Sequence, residues 1–117
     1  DWIFVEDHCD AIIDVLIKGK SGESYNISAG NEIDNITIIK KILTIVGKPL
    51  ENIEFVEDRP GHDFRYSMES TKIRNTLGWS QKKKFEEGLK KTIDWYLENK
   101  EWWMNLDQKM LGATPWK

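Results

Sequence analysis

The sequence is poor in the features that mark several classes of protein. It has a single cysteine, Cys9, in 117 residues, so no disulfide can form within the chain and folding needs no oxidising compartment. No apolar run reaches the roughly 18 residues that a membrane-spanning helix needs. Acidic residues outnumber basic ones, and a net charge of -3 disfavours a nucleic-acid partner, which needs a basic surface. We therefore expect a cytoplasmic protein without a membrane or nucleic-acid partner.

Glycine is missing from the pattern that a dinucleotide requires. The eight glycines form no Gly-x-Gly-x-x-Gly run, the turn that brings backbone amides to a pyrophosphate at the start of a helix. We expect no NAD site on this chain. The run Glu-Asp-His-Cys at residues 6–9 predicts no metal site either, because four consecutive helical residues point in four directions.

Hydrophobic spacing predicts three to four helices and a few short strands, which are residues 2–5, 25–27 and 53–56. The expected helices run from Val5 to a stop at Gly19, over residues 38–46, from a cap at Ser70 to Gly78, and from Phe85 through Leu97. Thr37 is predicted to cap the second helix, with Gly47 just past its end. The strands are too few for a doubly wound sheet, so the expected fold class is α/β, a small mixed accessory domain that leans on a larger neighbour.

The run Arg-Pro-Gly-His-Asp at residues 59–63 is the most informative segment. Pro60 and Gly61 favour a rigid turn that presents Arg59 and His62 together. Arginine offers a planar fork of donors to phosphate oxygens, and a protonated histidine can also donate to phosphate. The residues alone leave two interpretations open, a diphosphate clamp or a turn whose charges pair with neighbouring carboxylates.

Several segments together resemble the C-terminal part of extended short-chain dehydrogenases, and dTDP-glucose 4,6-dehydratases in particular. They are Asp-Trp-Ile-Phe-Val-Glu-Asp-His at 1–8, Gly-Glu-Ser-Tyr-Asn-Ile at 22–27, Arg-Pro-Gly-His-Asp at 59–63, Thr-Lys-Ile-Arg at 71–74, Leu-Gly-Trp at 77–79, Phe-Glu-Glu-Gly-Leu at 85–89 and Trp-Tyr at 95–96. The resemblance covers residues 1 to about 103 and includes the loop that suggested a clamp.

The resemblance implies that Arg59 and His62 contact the diphosphate of a nucleotide sugar and that Asn35 contacts its nucleotide portion. It also implies a single partial substrate-binding domain over residues 1–117, an N-terminal Rossmann domain that is absent here, and a parent enzyme that binds NAD and forms a homodimer. The parent reaction would oxidise sugar C4, remove water across C5 and C6, and return hydride to C6. None of those catalytic groups falls on this chain, so we expect it to be inactive alone. Tyr96 and Lys100 match the family's Tyr-x-x-x-Lys pair only by coincidence, because Tyr96 lies in an apolar stripe with no dinucleotide-binding unit before it.

Two alternatives stay open. The chain could be the substrate domain of another nucleotide-sugar enzyme of the same superfamily, such as an epimerase or a decarboxylase. It could also be a non-catalytic binding module that stands alone and pairs with a separately encoded cofactor domain.

Overall fold

The computed structural model describes residues 1–106 of the chain. Within that range the backbone forms five α-helices and one turn of 3₁₀ helix, without a strand. The elements in chain order are α1 (Val5–Lys18), α2 (Asn35–Ile45), the 3₁₀ turn (Leu50–Asn52), α3 (Thr71–Leu77), α4 (Phe85–Glu98) and α5 (Lys100–Met104).

Most helix ends lie where the sequence predicts them. Gly78 ends α3 in the left-handed conformation, with φ 71° and ψ 13°, and Gly47 follows α2 with φ 65°. Both angles suit glycine, which has no Cβ to clash with the preceding turn. The predicted cap of α2 was wrong, because the helix begins at Asn35 and Asp34 is its N-cap. The Asp34 carboxylate accepts from the backbone N–H of Thr37 at 2.9 Å, so Thr37 is the capped residue and not the cap.

None of the three segments predicted as strands forms a strand in the part of the chain that the structure describes. Residue 5 already begins α1, and residues 25–27 and 53–56 form no ladder. A strand needs a partner strand to pair its backbone groups, whereas alternating apolar residues only show that one side is buried. The regular secondary structure of residues 1–106 is therefore helical, and the predicted strands remain unconfirmed.

The core is small and lies between α1, α3 and the segment that follows α3. Ala11 and Ile73 are fully buried, and Trp79 packs against them with only 4% of its surface exposed. The indole Nε1 of Trp79 donates to the backbone carbonyl of Asp7 at 3.2 Å, which satisfies the one polar atom of the ring. Trp79 thus folds back over α3, as the sequence predicts.

The apolar face that the sequence predicts for α1 lies outside this core; it consists of Val5, Cys9, Ile12, Ile13 and Leu16. Val5 is 63% exposed and Leu16 is 82% exposed, while the residues that α1 buries are Asp7 and Ala11. The small side chain of Ala11 lets the helix approach α3 closely, and the partly buried Val15 packs beside it, so the core contacts a different side of α1. The described residues leave that apolar face uncovered.

The helix predicted from Phe85 through Leu97 is confirmed as α4, and a separate short helix, α5, follows it. Asn99 has φ -110° and ψ 42°, outside the helical range, and it separates α4 from α5. Tyr96 therefore lies in α4 and Lys100 in α5, so they do not share the face of one continuous helix as a catalytic Tyr-x-x-x-Lys pair would. The backbone carbonyl of Tyr96 accepts from the indole N–H of Trp103 at 2.8 Å, which holds the two helices together.

Candidate functional site

The loop at residues 58–63 is organised by one carboxylate. Asp58 Oδ1 accepts from the backbone N–H of Arg59 at 2.8 Å and lies 2.6 Å from Nδ1 of His62. The backbone N–H of His62 donates to the carbonyl of Arg59 at 3.3 Å and closes the turn, with Gly61 at φ 69°. Arg59 and His62 are thereby brought to the same turn, as the sequence predicts.

The hydrogen bonds of Asp58 also determine what His62 can do. The hydrogen bond from His62, together with that from the Arg59 backbone, lowers the pKa of Asp58 below its usual value. An ionised carboxylate only accepts hydrogen bonds, so the hydrogen lies on Nδ1 of His62, and the Nδ1–H group donates the hydrogen bond to Asp58. The other ring nitrogen, Nε2, is then an acceptor in the neutral ring and a donor in the imidazolium. His62 can donate to a phosphate oxygen only in its protonated form.

Arg59 differs from the other charged residues of the loop. Within residues 1–106 its guanidinium forms no ion pair, whereas His62 pairs with Asp58 and Arg65 lies 3.6 Å from Glu32. Asp63 is occupied by a short hydrogen bond of 2.5 Å from the hydroxyl of Tyr66, which raises the pKa of Tyr66. The carboxylates Asp58 and Asp63 are thus engaged locally, and the exposed guanidinium of Arg59 interacts with the Tyr66 hydroxyl but pairs with no carboxylate of residues 1–106.

Asn35 is the first residue of α2, at the end of the helix where free backbone N–H groups make the potential positive. Its side chain is exposed. The contact that links its loop to the clamp is made by Glu32, whose carboxylate accepts from Ser67 and pairs with Arg65. Glu32 precedes Asn35 by three residues and Arg65 follows His62 by three, so this link joins the chain segments on which Asn35 and His62 lie.

No pattern in the sequence pointed to the residues that hold this junction together. Asp1 accepts from the hydroxyl of Ser28 at 2.6 Å and from the backbone N–H of Gly30 at 2.7 Å. Ser28 is 2% exposed and Ala29 is 6% exposed, so the contact is internal. Short polar and glycine residues in a loop are typical of any turn, and no spacing rule connects them to a residue 27 positions earlier.

Among residues 6–9, Asp7 packs α1 against the segment that precedes α4. The Asp7 carboxylate is buried and accepts from the backbone N–H groups of Lys82 and Lys83 at 3.1 and 3.0 Å. Among residues 1–106, no three histidine, cysteine or acidic side chains are grouped to hold a metal ion. The helices of the same range include none that is long and apolar enough to cross a bilayer.

The fold and the loop define a class of protein. The chain belongs to a family of nucleotide-sugar dehydratases, because the family described as GDP-mannose 4,6 dehydratase matches residues 1–92. This confirms the resemblance on which the prediction of a substrate-binding segment was based.

The individual relatives are dTDP-glucose 4,6-dehydratases. That of Escherichia coli is 47% identical in an alignment of 117 positions, gaps included, that covers 91% of this chain and 32% of the relative. That of Streptomyces niveus is 46% identical over 102 residues, covering 87% of this chain and 30% of the relative. The chain thus spans about a third of the length of the curated relatives it matches.

Solved structures agree. The dTDP-glucose 4,6-dehydratase of Bacillus anthracis str. Ames, in complex with NAD, has a TM-score of 0.85 at 46% identity and is matched over 92% of this chain and 34% of its own. The dTDP-glucose 4,6-dehydratase DesIV of Streptomyces venezuelae, also with NAD bound, has a TM-score of 0.88 at 38% identity, over 92% of this chain and 33% of its own. The fold is that of one part of these enzymes.

Proposed function

We propose that this chain forms the substrate-binding part of an NAD-dependent dTDP-glucose 4,6-dehydratase, a lyase that converts dTDP-glucose to its 4-keto-6-deoxy product. The observation that supports the proposal is the turn at Asp58, which carries both Arg59 and His62 and leaves Arg59 without an ion pair among residues 1–106. In this proposal Arg59 and protonated His62 donate to the diphosphate. Asn35, at the N-terminal end of α2, contacts the nucleotide portion.

The residues present do not suit NAD. The described part of the chain has neither a strand that leads into a helix nor a glycine-rich turn between them, which a dinucleotide pyrophosphate requires. We therefore place NAD, and all catalytic groups, on residues outside this chain. The role of this chain is to bind the diphosphate, to orient the sugar and to hold the His62 ring in place through its hydrogen bond to Asp58.

The large radius of gyration and the exposed apolar residues of the chain favour the presence of a larger neighbouring domain. The Cα radius of gyration is 17.3 Å, against the roughly 13 Å expected of a compact domain of about 100 residues. The exposed aliphatic face of α1 is suited to contact the Rossmann domain. Residues 53–56, where Phe55 is 85% exposed, could pair with strands of that domain. We propose that 1–117 is one partial domain of a homodimeric, cytoplasmic enzyme.

The test is the affinity of the enzyme that contains this chain for dTDP, measured by calorimetry. Arg59→Ala is expected to raise the Kd about 10- to 100-fold, because a charge-assisted hydrogen bond contributes about 1.5–3 kcal/mol. Lys48→Ala is the control, since Lys48 is an exposed cation beyond the opposite end of α2 from Asn35. Equal affinity of the Arg59 variant and the wild type would refute the clamp.

Two further measurements separate the alternatives. A preference for UDP over dTDP in the same calorimetry would favour a different nucleotide-sugar enzyme of the superfamily. The 117-residue chain, supplied with NAD and dTDP-glucose, is expected to form no product. Product formation by the chain alone would contradict the assignment of every catalytic group to residues outside it.

A further inference from the structure

The segment at residues 28–30 is held from one side by the carboxylate of Asp1. Its two oxygens accept three hydrogen bonds, from the hydroxyl of Ser28 at 2.6 Å, from the backbone N–H of Ala29 at 3.2 Å and from the backbone N–H of Gly30 at 2.7 Å. A carboxylate suits this position because it accepts several hydrogen bonds and donates none. The three donors converge on one side chain that lies far away in the sequence.

The carbonyl groups of the same segment are held from the other side. The hydroxyl of Ser70 and the guanidinium of Arg74 donate to the carbonyl of Ser28 at 3.1 and 3.2 Å. The amide of Gln81 donates to the carbonyl of Ala29 at 2.9 Å. The segment is therefore fixed against α3 and the chain after it, and Asp1 is attached to that fixed point.

The backbone around Asp1 reaches both halves of the proposed site. The backbone N–H of Trp2 donates to the carbonyl of Asn31 at 3.1 Å, and the amide of Asn31 donates to the carbonyl of Trp2 at 2.9 Å. The next residue, Glu32, pairs with Arg65, three residues after His62. The indole N–H of Trp2 donates to the carbonyl of Ile33 at 2.8 Å, two residues before α2 begins. Residues 1–2 therefore connect the loop that carries His62 to the N-terminal end of α2. A change in their position would alter the placement of one of these segments relative to the other.

We propose that Asp1 is a positioning residue for the nucleotide sugar, and that its carboxylate sets the relative placement of the turn at 59–62 and the N-terminus of α2. Asp1 itself touches no ligand in this proposal. It acts by fixing residues 1–2 to residues 28–30, which fixes both binding segments at once. The inference rests on the proposed function, because it presumes that those two segments hold one ligand.

The test is Asp1→Asn in the enzyme that contains this chain. The asparagine keeps the size of the side chain but places an NH₂ group against one of the three donors, so the contact with residues 28–30 is disrupted. We expect the KM for dTDP-glucose to rise about tenfold, which corresponds to about 1.4 kcal/mol, the contribution of about one hydrogen bond to the ligand, while the KM for NAD stays unchanged. Asp94→Asn is the matched control, because Asp94 is partly exposed and pairs with Lys90 at 2.6 Å on the surface of α4.

A purely structural role for Asp1 gives a different result. In that case Asp1→Asn would lower the melting temperature and the fraction of active enzyme, but the remaining active enzyme would keep its KM for dTDP-glucose, and the proposal would be overturned. The Arg59→Ala variant is measured in parallel. If Arg59→Ala raises the KM and Asp1→Asn does not, this inference fails while the proposed function stands, and if neither variant does, the proposed function fails too.

Discussion

The buried carboxylate of Asp7 offers a quantitative test of the packing. Asp7 is 3% exposed and accepts from the backbone N–H groups of Lys82 and Lys83, which fastens α1 to the chain just before α4. Asp7→Ala removes both acceptors and leaves two N–H groups facing an apolar methyl. It also removes a negative charge from the first turn of α1, where anions are stabilising.

The magnitude follows from the two lost hydrogen bonds. A hydrogen bond to a charged group contributes about 1.5–3 kcal/mol, and the partial exposure of the two lysines lets water reach part of the gap, so we expect a total loss of about 3 kcal/mol. In a domain of about 100 residues each kcal/mol lowers the melting temperature by about 4–8 °C. Asp7→Ala is therefore expected to lower it by at least about 10 °C. Asp7→Asn, which keeps one acceptor, should lie between this variant and the wild type.

Thermal unfolding followed by circular dichroism measures the effect. Asp10→Ala is the matched control, because Asp10 lies on the same helix and pairs with the side chain of Lys82 at 2.5 Å at the surface, where ion pairs add little stability. If Asp7→Ala and Asp10→Ala lower the melting temperature equally, the buried bonds of Asp7 do not fasten α1 as described.

Two further predictions concern α2 and α4. Hydrogen bonds from the backbone and hydroxyl of Thr37 lower the pKa of Asp34, so its stabilising effect is fully present above the ordinary aspartate pKa, about 3.9, and is lost as the pH falls through the lowered value. When the melting temperature is measured against pH, the part of the decrease at low pH that comes from Asp34 should be missing in Asp34→Asn. A curve for this variant that is identical to that of the wild type would contradict the role of the Asp34 carboxylate as the cap of α2. Gly88→Ala should destabilise the protein, although alanine favours a helix by about 1 kcal/mol, because a Cβ there would lie 2.9 Å from Cβ of Phe4. A raised melting temperature would show that Phe4 moves aside freely.

His62 provides a prediction about ligand binding. Because Asp58 holds the proton of Nδ1, the ring can donate to a phosphate only when Nε2 is protonated too. His62→Phe, which keeps a ring but has no nitrogen donor, should therefore raise the Kd for dTDP, whereas His62→Gln, whose amide can donate, should keep part of the affinity. Equal Kd values for His62→Phe and the wild type would show that His62 does not donate to the diphosphate.

Local features of the sequence were enough to place most helices. Gly47 and Gly78 end α2 and α3 where predicted, because a left-handed residue after a helix is a local requirement that glycine meets most easily. The turn at Arg59 and His62 was predictable for the same reason, since proline and glycine restrict the backbone directly. The family was also readable from the sequence, because several short segments match in order.

Other properties depend on contacts between distant residues. The sequence did not reveal which face of α1 is buried, because its aliphatic stripe is exposed and the small Ala11 packs against Ile73 instead. Pairing of the turn's charges with neighbouring carboxylates was one of the interpretations that the sequence left open, and the structure shows that His62 is the residue that pairs with Asp58.

The sequence by itself determined the helix ends, the turn of the candidate site and the family, since each depends on residues that are neighbours along the chain or on matched local segments. Only the tertiary structure decided that Asp1 and Asp7 hold segments far from them in sequence, and that residues 1–106 contain no strand. Those outcomes depend on which backbone donors reach which acceptors across the fold. No local pattern in the sequence specifies which residues, far apart along the chain, will pair.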